Sequence, residues 1–119
     1  MLPAKLRNGR RNRVKLIKRV SNELAGNLDE AREKIRIAYE LKADYPEAAA
    51  WYREMAAAHV GFNTNGHSII KKLIETAKTS DDYKRNPEYT NGMIAAWEAI
   101  HNDQIAKTAE VKALIDGWK

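Results

Sequence analysis

The chain has 119 residues, no cysteine and a formal net charge of +5. That length suits one ordinary domain, and the missing thiols exclude disulfides, thiolate zinc sites and thiol catalysis. The longest stretch without a charge, residues 55–70, carries His, Asn, Thr, Ser and Gly, so no segment reads as a bilayer span. The first residues do not read as a secretory signal either, and the chain is expected to be cytoplasmic.

The charge is unevenly spread. Residues 5–19 hold eight basic side chains, Lys5, Arg7, Arg10, Arg11, Arg13, Lys15, Lys18 and Arg19, and the first acid is Glu23. From Val20 onward thirteen basic residues face sixteen acidic ones. The pattern describes a mildly acidic body behind a basic arm, and such asymmetry speaks to polyanion contact rather than to fold.

In chain order, residues 1–12 read as a flexible basic arm and residues 13–119 as a single helical domain. Asn8-Gly9 favours a turn, and Asn12 suits the cap of a first helix over 13–25. Val14, Ile17, Val20 and Leu24 line one side of that helix, opposite Lys15, Lys18 and Arg19. Gly26-Asn27 predicts its end. Asn27 with Glu30 has capping-box spacing for a second helix to about Asp44, with Leu28, Ala31, Ile35, Ala38, Leu41 and Tyr45 inward.

Pro46 predicts the next start, because proline's missing donor has no partner in a first turn. Trp51, Met55, Ala58, Phe62, Ile69, Leu73 and Ala77 keep helical phase through the turn-like residues 63–68. A continuous helix over 47–78 is therefore favoured, and a break there would make five helices instead of four. Residues 78–85 read as a polar connection. Asn86-Pro87-Glu88 combines a cap residue, a first-turn proline and an acid. It opens a last helix to about residue 116, with Met93, Ala96, Trp97, Ile100, Val111, Leu114, Ile115 and Trp118 as its core stripe. The fold expected is all-α, a compact irregular four-helix bundle behind the basic arm.

Three polar constellations could carry function. Glu98-x-x-His101 is half of the ligand pattern of carboxylate di-metal bundles. Only one such pair is present, and Glu98 lies off the apolar stripe, so a solvated Glu98 is favoured. His59, Asn63 and His67 recur every four residues, while Gln104 lies in the last helix's apolar stripe with Thr108 a turn on. A polar pocket of His59, Asn63, His101, Gln104 and Thr108 follows, with His59 and Gln104 able to meet. Its plainest role is a hydrogen-bonded network that fixes helix register, since buried polar groups must be paired. A small-ligand site, or a metal held by His59, His67 and His101, is the sharper alternative. No nucleophile–base pair suggests catalysis, and no cofactor is expected.

The basic arm is the strongest signal. Arginine favours bidentate phosphate contact, and such contacts give affinity with little base specificity. A solvated tail, an anionic membrane surface and an acidic protein partner are the competing uses. The mixed charges of the second helix make a poor groove reader for a helix-turn-helix. The expectation is a non-catalytic binding protein. Its arm contacts DNA or RNA backbone, and its body contacts a protein partner or another copy. The alternatives are a small-molecule or metal-binding bundle and a purely structural interaction module.

Overall fold

A computed structural model describes residues 9–119, apart from the side chains of residues 9–12, 82 and 89. It is all-helical among these residues, as expected. Helix α1 spans Gly9–Leu41, α2 Pro46–Lys78, α3 Asp81–Arg85 and α4 Pro87–Asp116. The count of four matches the expectation, but the division differs: three long helices and one short turn.

Pro46 and Pro87 open α2 and α4 as the sequence predicts, and α2 runs unbroken through residues 63–68. The connection after α2 contains α3, where the Ser80 hydroxyl accepts the Tyr83 amide at 3.3 Å and so caps this single turn.

The predicted stop at Gly26-Asn27 is overturned, because α1 continues to Leu41. It already includes residues 9–12, ahead of the start expected after Asn12. A lone glycine costs a helix only about 1 kcal/mol relative to alanine, and here Leu24 and Leu28 on either side are buried. Asn27 does not cap a new helix. Its side chain crosses to α2, donating to the His59 carbonyl at 2.6 Å and to Asn63 Oδ1. Tertiary packing on both flanks outweighs the local signal.

The long helices run up, down and up. Leu24 of α1 meets Gly66 of α2, Asn27 meets Asn63, and Lys34 meets His59, an antiparallel register. Helix α4 is antiparallel to α2, with His101 beside His67 and Ile115 beside Arg53. The result is a rod of 67 × 25 × 15 Å with a radius of gyration of 18.6 Å. A globular domain of this length has a radius near 13.5 Å, so the compact bundle expected is corrected to an elongated one. Each thirty-three-residue helix spans about 50 Å at 1.5 Å per residue and accounts for most of that length.

Inward positions follow an alternating three-and-four spacing, the pattern of knobs-into-holes packing. In α1 they are Ile17, Ser21, Leu24, Leu28, Ala31, Ile35 and Ala38. Two apolar clusters result. One gathers Leu28, Ala31, Ile35 and Ala38 with Ala56, Val60, Val111 and Ile115, and the other gathers Ile17 and Leu24 with Ile70, Ile74, Ala77 and Ile94. Trp118 packs against the first cluster, meets Tyr39 edge-on at 5.1 Å and carries Lys42 over its ring. Arg53 donates to the Ile115 carbonyl at 3.1 Å and so satisfies the end of α4.

The core phase of α2 differs from the expected one. Ala49, Ala56, Val60, Asn63, Gly66, Ile70, Ile74 and Ala77 are buried, whereas Trp51, Ala58, Phe62 and Ile69 are exposed. At Gly66 the inward residue has no side chain because α1 approaches closely there. A Cβ built on Gly66 would lie 2.2 Å from Leu24 Cδ2. Helix α4 shows a related shift: Ala96, Ile100 and Leu114 are exposed, and Thr90, Ile94 and Thr108 are buried instead.

Candidate functional site

Between the two apolar clusters lies a polar layer that crosses all three long helices. Its centre is Asn63, only 1% exposed. Asn63 Oδ1 accepts from Asn27, and Asn63 Nδ2 donates to the Leu24 carbonyl and to Thr108 Oγ1, each at 3.3 Å. Thr108 in turn donates to the Gln104 carbonyl at 2.8 Å. Every hydrogen-bonding group of the Asn63 amide thus has a partner, as a buried amide requires.

The layer continues outward on the α1 side. Lys34 Nζ sits 3.1 Å from His59 Nε2. An ammonium can only donate, so Nε2 accepts and Nδ1 carries the proton it gives to Asn27 Oδ1. His59 is thereby held as one neutral tautomer. Burial first, and the Lys34 charge second, lower its pKa below the usual imidazole value, against a weaker opposite pull from Glu30.

The five residues expected in one pocket are therefore divided. Asn63 and Thr108 bond directly. His59 turns to Asn27, and Gln104 donates to the Ser21 carbonyl at 3.1 Å, so the expected meeting of His59 and Gln104 does not occur. His101 stands with His67 on the α2–α4 side, their ring centroids 5.7 Å apart and nearly perpendicular. These two line an open groove of about 340 Å³ with Thr64, Ser68, Lys71 and Lys112. His67 Nε2 and His101 Nδ1 are buried without a partner among the described residues.

The three-histidine metal set is not assembled, because His59 is tied to the α1 side while His67 and His101 meet between α2 and α4. No cluster of three or more His, Cys, Asp or Glu able to hold a metal occurs among the described residues. Burial lowers both groove histidines, with the neighbouring His101 adding to the effect on His67 and Lys71 to that on His101. Glu98, expected in solvent, is half-buried and pairs with Lys78 at 2.9 Å. Glu40 lies outside and pairs with Arg36.

The basic segment is only partly placed. Lys5 and Arg7 lie outside the described residues, as do the side chains of Arg10 and Arg11. Lys15, Lys18 and Arg19 are exposed on the second and third turns of α1, and Arg13 is half-buried. They share a helix with Ile17 and Leu24, which anchor it in the core.

Sequence reasoning missed Asn27 and Ser21. Asn27 read as a cap, although its spacing from Leu24 and Leu28 already placed it beside the apolar stripe. Ser21 acts through its carbonyl, which no side-chain pattern reveals. No helix among the described residues is long and apolar enough to cross a membrane. No protein family, curated protein or solved structure matches this chain.

Proposed function

We propose that this protein is a non-catalytic binder of nucleic-acid backbone, working in the cytoplasm through the basic first half of α1, with a helical body that contacts a protein partner or itself. The observation that carries the reading is charge placement. Eight basic residues precede the first acid, and Lys15, Lys18 and Arg19 are presented to solvent by a core-anchored helix. A preordered row of cations contacts phosphates without the ordering cost that a free tail incurs. The polar layer supports a structural part for the interior, since the hydrogen-bonding groups of Asn63 are satisfied within the chain.

Binding of the full chain to generic duplex DNA and single-stranded RNA, measured at two salt concentrations, tests this. The comparison variant combines Lys15→Gln, Lys18→Gln and Arg19→Gln, all exposed positions that leave the core intact. The expected result is salt-sensitive binding that weakens in the variant, with the salt slope reduced by up to about 3. No binding of the parent chain at about 50 mM salt refutes the proposal, because backbone contacts are strongest there.

A further inference from the structure

Helix α2 carries a second apolar face that nothing among the described residues covers. Trp51, Phe62 and Ile69 on it are 57%, 55% and 50% exposed. Ala58 is exposed as well, and Met55 and Leu73 are half-buried at the edge. The face repeats at helical spacing over about 33 Å, from the 1.5 Å rise per residue. It lies on the flank of α2 away from α4, which packs along Val60, Thr64 and His67.

The spacing of this face is symmetric about Phe62, the middle residue of α2. Met55 and Ile69 stand seven residues to either side, and Trp51 and Leu73 stand eleven. A helix with such a face complements itself when a second copy is turned end for end. Phe62 then meets Phe62 on the two-fold axis, Met55 meets Ile69, and Trp51 meets Leu73. This is the isologous contact of a two-fold dimer.

Charge selects the same orientation. In the α1–α2 hairpin, residues 9–26 with 63–78 hold nine basic and two acidic side chains, while residues 27–62 hold seven acidic and five basic. Parallel pairing would stack the two strongly positive ends. Antiparallel pairing sets each positive end against the acidic end of the other copy. It also brings Glu54 beside Lys72 of the other copy on the rim, twice by symmetry. Both side chains are exposed, and no ion pair holds either within the chain among the described residues.

We infer that this protein forms an antiparallel two-fold dimer through the outer face of α2, centred on Phe62. The inference deepens the self-contact half of the proposed function and needs nothing from the nucleic-acid half. Lys15, Lys18 and Arg19 are exposed residues of α1 and are not part of the α2 face.

The test begins with sedimentation of the nuclease-treated full chain over a range of concentrations. A concentration-dependent dimer is expected, with Phe62→Ala weakening association by roughly thirtyfold or more, as for a central aromatic hot spot. Because the chain has no cysteine, single-cysteine variants report geometry directly. Phe62→Cys alone should form a disulfide dimer. Met55→Cys and Ile69→Cys should cross-link when mixed but not separately. Glu54→Lys and Lys72→Glu should each weaken the dimer, and the double swap should restore it. A chain that stays monomeric overturns the inference and leaves the face to a different protein. Cross-linking of Met55→Cys to itself overturns the antiparallel geometry. Loss of nucleic-acid binding with the dimer intact would refute only the earlier proposal.

Discussion

The two seams of α2 are built differently. Against α1 it presents Ala49, Ala56, Gly66 and Asn63, small or fully bonded residues that allow close approach. Against α4 it presents His67, which pairs edge-on with His101 beside an open groove and leaves ring nitrogens unpartnered among the described residues. The first seam holds the hairpin by tight apolar packing and a bonded amide. The second is half-polar and carries titratable groups. The tight packing at Gly66 predicts that stability concentrates in the α1–α2 hairpin, and two of the three histidines put more of the acid sensitivity where α4 docks.

The largest break of that contrast is Leu24→Ala. Leu24 is 1% exposed and fills the space that Gly66 leaves open. Truncation removes its transfer energy and leaves a cavity, a cost of about 2–5 kcal/mol. Urea denaturation of parent and variant reads it as a shifted midpoint. A change under about 1 kcal/mol would mean that the seam collapses around the gap and is not tightly packed.

Next in size is Asn63→Ala. It strips a donor or acceptor from Asn27, the Leu24 carbonyl and Thr108 together. Buried groups left unpaired cost about 1–3 kcal/mol, and Asn63 links both seams. The same denaturation series should show a loss of about 2 kcal/mol, and hydrogen exchange should rise at mid-height of both seams. Faster exchange at α4 alone would place the layer's weight on the second seam.

Much of the architecture was legible because it rests on local chemistry. Proline fixes where α2 and α4 begin, and unbroken phase carries α2 through residues 63–68. What failed depended on neighbours. Gly26-Asn27 has the chemistry of a boundary, and only the partner atoms on α2 convert Asn27 into a cross-link. The phase of α2 was misjudged because Trp51, Phe62 and Ile69 are larger than Ala49, Ala56 and Gly66. Size favours burial only where the opposing helix leaves room, and at Gly66 Leu24 of α1 already fills it. Of the candidate site, only the nearness of Asn63 and Thr108 follows the sequence expectation; His59, Gln104 and His101 turn to other partners. Leu24, Ser21, Gln104 and His59 all contribute backbone carbonyls, which carry no mark in a sequence.

The smallest effect sharpens the comparison most, because it separates the seams by pH. Burial holds all three histidines below the ordinary imidazole value of 6.5. Above that value both folded and unfolded chains carry them neutral, and their contribution is intact. As pH falls below 6.5 the unfolded chain takes up protons first, so stability declines until the folded pKa values are passed. Lowered carboxylates such as Glu30 and Glu33, each held by a cationic neighbour, lose their contribution only below 4.5. The interval between 6.5 and 4.5 therefore isolates the histidines. Two of them sit at α4 and one at α1, where Lys34 also opposes protonation of His59. Combining His67→Gln with His101→Gln should flatten most of the decline in denaturation midpoint between pH 7 and pH 5, leaving a smaller slope from His59. A slope unchanged by the double variant, but removed by His59→Gln, would put the acid-sensitive contact between α1 and α2 and reverse the roles assigned to the two seams.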